Sequence, residues 1–80
     1  SMVGDFDGNG AVDFLDFFMF ADAFGDPDAD PIYDLDGSGS VDFLDFFMFA
    51  DAFGSDGRAK LFALAEEMIG LPRAVSLAQN

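Results

Sequence analysis

DFDGNGAVDFLD, residues 5–16, and DLDGSGSVDFLD, residues 34–45, are two versions of one stretch of sequence. Both have aspartate at positions 1, 3, 9 and 12, and both have glycine at position 6, where the chain must turn sharply. The same apolar run, FFMFADAFG, follows each stretch closely. The wider repeat aligns residues 4–26 with residues 33–55, and 18 of the 23 aligned positions are identical. The sequence therefore predicts one structural unit that occurs twice.

The spacing of oxygen-bearing side chains in each stretch predicts a calcium-binding loop. Calcium binds about six to eight hard oxygen atoms, and clustered carboxylates repel one another unless a cation lies between them. The expected ligands of the first loop are Asp5, Asp7, Asn9, the carbonyl of Ala11, Asp13 through a water molecule, and Asp16. The expected ligands of the second loop are Asp34, Asp36, Ser38, the carbonyl of Ser40, Asp42 and Asp45. Two Ca²⁺ ions would change the formal charge from −13 to −9.

The pattern of elements predicts an all-α fold. Helices are expected at Phe14–Phe24 and Phe43–Phe53, closed by Gly25 and Gly54. Periodic apolar residues predict a third helix over about residues 57–69, capped by Ser55 or Asp56 and ended by Gly70 and Pro72. The linker GDPDADPIY is expected to be an ordered turn or loop, and residues 71–80 an extended tail or linker. Val12 and Val41 can pair the two loops through a short β-bridge, and the two units are expected to pack antiparallel about a pseudo-two-fold axis.

Composition limits the possible classes of protein. Eighty residues make a single domain, expected over residues 3–70, and Ser1-Met2 is typical of a cloning remnant. A chain without cysteine has no disulfide, so a core this small depends on a metal or on association for support. Sixteen acidic residues against three basic ones disfavour nucleic acid and anionic membranes as partners. No apolar run approaches the roughly 20 residues of a membrane span.

The duplicated loop and exiting helix, with Asp at position 12 in place of the Glu of the common EF-hand, resemble the dockerin family. The resemblance covers residues 4–55 and implies two calcium-binding F-hand units in a secreted or cell-surface bacterial module that docks a protein partner, such as a cohesin-like one. Positions 10 and 11, where many dockerins carry Ser-Thr, are here Phe14-Leu15 and Phe43-Leu44. The stretch LPRAVSLAQN also resembles the linker before the C-terminal sorting domain of some secreted bacterial proteins.

The surplus of phenylalanine leaves two interpretations open. In one, all of these side chains form the core, and the third helix covers the second apolar face. In the other, part of the surface stays exposed for a partner or for self-association. The residues expected to contact a partner in that case are Phe14, Leu15, Phe20, Phe43, Leu44 and Phe49.

Two other functional classes are alternatives to a calcium-stabilised attachment module. A calcium sensor would open a Phe/Met groove on binding the ion, but the sequence predicts no entering helix before either loop. An enzyme is disfavoured because the chain has no histidine, no cysteine and no nucleophile beside a base.

Overall fold

The computed structural model describes residues 2–79, and within that range the secondary structure is all helical, as predicted. The α-helices are α1 (Phe14–Ala23), α2 (Phe43–Phe53), α3 (Arg58–Ile69) and α4 (Arg73–Ala78). A short 3-10 helix, Pro31–Tyr33, lies in the linker between the two repeats. The predicted bounds of the first three helices agree with the structure to within one residue.

Aromatic side chains from both repeats form the centre of the core. Phe17 and Phe20 of α1 and Phe46 and Phe49 of α2 have no exposed surface. The ring centroids of Phe20 and Phe49 lie 5.8 Å apart, and those of Phe17 and Phe46 lie 6.1 Å apart. Burying each of these rings contributes about 1.5–3 kcal/mol to folding, so this contact holds the two repeats together.

Helix α3 covers the remaining side of this core, which agrees with the first of the two interpretations left open by the sequence. Leu61, Phe62 and Ala65 are buried, and the ring of Phe62 packs edge-on against Phe46 with centroids 5.3 Å apart. The predicted cap of α3 is wrong, because neither the Ser55 nor the Asp56 side chain caps the helix. The N-cap is Gly57, which adopts a left-handed conformation, and Ser55 contributes its backbone carbonyl instead by accepting from the N–H of Arg58.

The sequence predicts an extended tail or linker over residues 71–80, but residues 73–78 form α4, which packs against α3. Leu71 is buried, and the Pro72 carbonyl accepts from the N–H groups of Val75 and Ser76. The extended interpretation is wrong because Leu71 docks into the core and the Pro72 carbonyl accepts the first hydrogen bonds of α4. Asn80 lies outside the described residues.

The predicted β-bridge is also absent from the described range, because neither Val12 nor Val41 is in a bridge. The Val41 carbonyl instead accepts from the N–H of Gly25 at 3.0 Å, which ties the second loop to the end of α1. The pseudo-two-fold relation between the repeats stays a prediction. Among residues 2–79 there is no helix of the length and apolarity that crossing a membrane requires.

Candidate metal centres

Each acidic loop gathers three of its carboxylates at one point. In the first loop, Asp5, Asp7 and Asp16 bring one oxygen each to within 4.8 Å of one another. In the second, Asp34, Asp36 and Asp45 do the same. We call these groups the first and second triads. Both triads lie where their loop meets the following helix, and each could hold a metal ion.

The aspartate at position 12 of each loop is buried, although its side chain is a carboxylate. Both Asp16 and Asp45 have no exposed surface. The Oδ1 of Asp16 accepts from the N–H of Asp7 at 3.1 Å, and its Oδ2 accepts from the N–H of Asp13 at 2.8 Å. Hydrogen bonds from backbone N–H groups are what allow a carboxylate to be buried without a large loss of stability.

The second loop repeats this arrangement closely. The Oδ1 of Asp45 accepts from the N–H of Asp36 at 3.0 Å, and its Oδ2 accepts from the N–H of Asp42 at 2.9 Å. The two loops differ at positions 2, 5 and 7, yet both place the buried carboxylate in the same way.

The aspartate at position 1 holds the glycine turn in each loop. Asp5 accepts from the N–H groups of Asn9 at 3.2 Å and Gly10 at 2.9 Å. Asp34 accepts in the same way from Ser38 at 3.1 Å and Gly39 at 2.8 Å. Gly10 and Gly39 have φ angles of 91° and 96°, which a residue with a side chain rarely adopts. The glycine at position 6 is therefore needed for the carboxylate to reach the turn.

Asp13 and Asp42, the predicted ligands at position 9, lie outside the triads and are the N-cap residues of α1 and α2. With Asp16 and Asp45 they form a capping box at the start of each helix, in which each residue of the pair accepts a backbone N–H. The pattern Asp-x-x-Asp before an apolar run could have indicated this role from the sequence. The capping box fixes the buried carboxylates at the first turn of each helix.

The remaining predicted ligands lie in the exposed part of each loop. Asn9 accepts from the N–H of Ala11 through Oδ1 and donates through Nδ2 to Asp13, each at 3.0 Å. Ser38 donates through its hydroxyl to the carbonyl of Ser40 at 3.3 Å, and the Ser40 hydroxyl donates to Asp42 at 3.1 Å. These side chains stabilise the loop turns in the structure.

The pKa directions of the carboxyl groups follow their surroundings. Desolvation raises the pKa of Asp7, and the charges of Asp16 and Asp13 add to that effect. Hydrogen bonding to Ser38 lowers the pKa of Asp36, which occupies the same position in the second loop. Hydrogen bonding to the Asn9 side chain lowers the pKa of Asp13. Burial raises the pKa of Asp45 above the ordinary value of an aspartate.

No basic side chain of the described range neutralises either triad. The chain has three basic residues, and each has its contacts elsewhere. Arg58 donates to the carbonyl of Ala50, Lys60 lies over the ring of Phe14, and Arg73 lies 3.8 Å from Glu66. Three carboxylates with spare lone pairs and no counter-charge suit a hard cation.

The predicted partner-contacting residues fall into three groups. Leu15 and Leu44 are exposed, as such a role requires, whereas Phe14 and Phe43 are half-buried against Phe53 and Phe24. Phe20 and Phe49 are fully buried in the core, so the prediction that these two face a partner is wrong. The exposed aromatic residue of α1 is instead Phe18, on the opposite side of the helix.

Comparison of the chain with protein-family models, with curated proteins and with solved structures finds no match.

Proposed function

We propose that this chain is a calcium-binding module that two Ca²⁺ ions stabilise, and that it attaches or links a secreted or cell-surface protein to a protein partner. The observation that carries the proposal is the duplicated triad: two sets of three carboxylates at the same loop positions, held by the same backbone hydrogen bonds. Acidic surface residues that merely mark turns do not require such repetition of geometry.

Calcium is the proposed ion because every donor in the loops is a hard oxygen. Asp5, Asp7 and Asp16 would hold the first ion, and Asp34, Asp36 and Asp45 the second. The loop carbonyls of Ala11 and Ser40, the side chains of Asn9 and Ser38, and Asp13 and Asp42 are the further oxygen donors proposed for the two shells. The bound ion would supply the positive charge that the buried carboxylates lack.

The attachment role is supported by the resemblance to dockerins and by the exposed apolar side chains. Leu15 and Leu44 hold the same place in the two repeats, and both are well exposed. The remaining expectations, a bacterial, extracellular origin and the absence of enzymatic activity, belong to the same proposal.

A thermal melt followed by circular dichroism, with calcium and with a chelator, tests the proposal. A ligand that binds only the folded state, at a free concentration of about 100 times its dissociation constant, adds about 2.7 kcal/mol per site to the free energy of unfolding. We expect the chelator to lower the melting temperature markedly, and magnesium to restore it only in part. An unchanged melting temperature after chelation would contradict the proposal.

A calcium sensor is the second candidate, and the methionines Met19 and Met48 favour it because they are exposed on α1 and α2. Binding of a hydrophobic dye separates the two functions. A sensor binds more dye when it is loaded with calcium, whereas a module stabilised by calcium binds less.

A further inference from the structure

The outer face of α1 is apolar and exposed. Leu15, Phe18 and Met19 are 60%, 42% and 37% exposed, and their spacing places them side by side on the helix. We call these three residues the α1 stripe. Asp22, one turn further along, continues the same face. Side chains this large and this exposed in a row are typical of a contact surface.

The α1 stripe leads directly into an acidic depression. Met19 of the stripe and Asp22 beside it line a shallow cavity of about 240 Å³. We call this cavity the acidic pocket, and the residues that line it are Met19, Asp22, Ala23, Asp26, Asp28, Ala29, Asp30 and Tyr33. Four carboxylates thus line a mostly polar depression, together with Met19, Tyr33 and two alanines.

Among the residues that the structure describes, no basic one lines the acidic pocket. Arg58 is engaged with the carbonyl of Ala50 and with Gln79, Lys60 lies over Phe14, and Arg73 lies near Glu66. The four carboxylates therefore have no counter-charge from any of the three basic side chains. Such a pocket attracts a cation from outside the chain.

The second repeat provides a comparison within the same molecule. Leu44, Phe47, Met48 and Asp51 of α2 have the same sequence and spacing as the α1 residues. The chain after α2 differs, because it leads into Arg58 and Lys60, whereas the chain after α1 leads into Asp26, Asp28 and Asp30. The two apolar faces are alike in sequence, and the one on α1 adjoins the acidic pocket, whose lining includes no residue of α2.

We propose that the α1 stripe and the acidic pocket form one docking surface for a basic amphipathic segment of a partner protein. Apolar side chains of the segment would pack on Leu15, Phe18 and Met19, and a lysine or arginine would enter the acidic pocket. A second copy of this chain is a poor occupant, because it carries the same charge of −13. The inference rests on the proposed attachment function and specifies the chemistry of the partner.

The test uses the calcium-loaded, isotope-labelled chain and two synthetic peptides. The first peptide is amphipathic, with leucine at helical spacing and lysine elsewhere, and the second has glutamate in place of lysine. Chemical-shift changes report where each peptide binds. We expect the lysine peptide to shift the amides of Met19 and Asp22, and to leave those of Met48 and Asp51 much less affected. We expect the affinity to fall as salt is raised.

Matched variants of the two repeats then test the charged contact and the apolar contact separately. Asp22→Asn with Asp28→Asn should weaken binding about fivefold or more, whereas Asp51→Asn with Asp56→Asn, which removes the same charge near α2, should not. Met19→Ser should weaken binding more than Met48→Ser does. Circular dichroism of every variant checks that it is folded.

Three results would overturn the inference: equal binding of the two peptides, shifts centred on α2, or equal effects of the two charge variants. Binding of calcium in the acidic pocket, seen as shifts at Asp22 and Asp28 that block the lysine peptide, would also overturn it. A calcium titration of the same samples reports the metal sites separately. If that titration shows no calcium binding at the triads, the proposed calcium function is contradicted. The inference about the docking surface is still decided by the peptide controls.

Discussion

Asp7 and Asp16 are joined by a hydrogen bond between the backbone N–H of Asp7 and the Oδ1 of Asp16, at 3.1 Å. The bond closes the loop, since it connects position 3 to a side chain in the first turn of α1. Asp36 and Asp45 are joined in the same way at 3.0 Å. The carboxylate at position 12 therefore shapes its loop through the backbone as well as offering oxygen to an ion.

Substitution of these carboxylates should affect both roles. Asp16→Asn or Asp45→Asn replaces one accepting oxygen with an N–H₂ group that faces a backbone donor. In the presence of chelator, we expect each variant to lose about 1–3 kcal/mol of unfolding free energy. In a calcium titration, each should lose one of the two sites. Denaturant unfolding and calorimetry measure the two effects.

Asp22→Asn is the control for both variants, because Asp22 is exposed on α1 and lies outside the triads. It should keep both sites and lose little stability. Retention of two full sites by Asp16→Asn and Asp45→Asn would contradict the assignment of the triads.

The two faces of α1 should respond differently to truncation. Phe20 is fully buried between the repeats, whereas Phe18 is 42% exposed. Phe20→Ala should cost about 3–5 kcal/mol, and Phe18→Ala no more than about 1 kcal/mol. Should Phe20→Ala fail to fold, Phe20→Leu provides a milder comparison. Equal losses at the two positions, measured by denaturant unfolding, would contradict the described core.

The C-terminal segment should behave as part of the domain. Leu71 is 4% exposed, and Leu77 on α4 is 60% exposed. Leu71→Ala should cost about 2–4 kcal/mol, and Leu77→Ala about 0.5 kcal/mol or less. Thermal melts of the two variants measure the difference. A negligible effect of Leu71→Ala would restore the interpretation of this segment as an extended tail.

Arg58 should matter more for stability than its exposure suggests. Its guanidinium donates to the Ala50 carbonyl at 3.1 Å and to Gln79 at 3.0 Å, and it lies 4.8 Å from the ring centroid of Phe62. Lysine keeps the charge but cannot reproduce the planar contacts, so Arg58→Lys should cost about 1 kcal/mol.

Arg73→Lys is the matched control for this substitution. Arg73 is exposed and lies 3.8 Å from Glu66, a contact of the kind that contributes little in solution. If the two substitutions cost the same, the contacts of Arg58 do not stabilise the protein.

The sequence predicts the parts of the fold that depend on local residue chemistry. The loop spacing and Gly25 predict α1 almost to the residue, and the same pattern predicts α2. The loop pattern also predicts that Asp5, Asp7 and Asp16 come together, because their spacing within one loop is a local feature of the sequence.

The features that the sequence did not predict depend on tertiary packing. Because α1 is apolar nearly all round, periodicity does not decide whether Phe18 or Phe20 is buried. The start of α3 depends on the backbone carbonyl of Ser55, which no side-chain pattern reveals. Helix α4 is too short to form alone and depends on its packing against α3, together with the burial of Leu71 beside it.

Titration of the metal-free chain with calcium, monitored by isothermal calorimetry, determines whether the two loops bind the ion. We expect heat that saturates at two ions per chain, and at one ion in Asp16→Asn or Asp45→Asn. Absence of heat, together with unchanged amide shifts in both loops, would contradict the proposed calcium function.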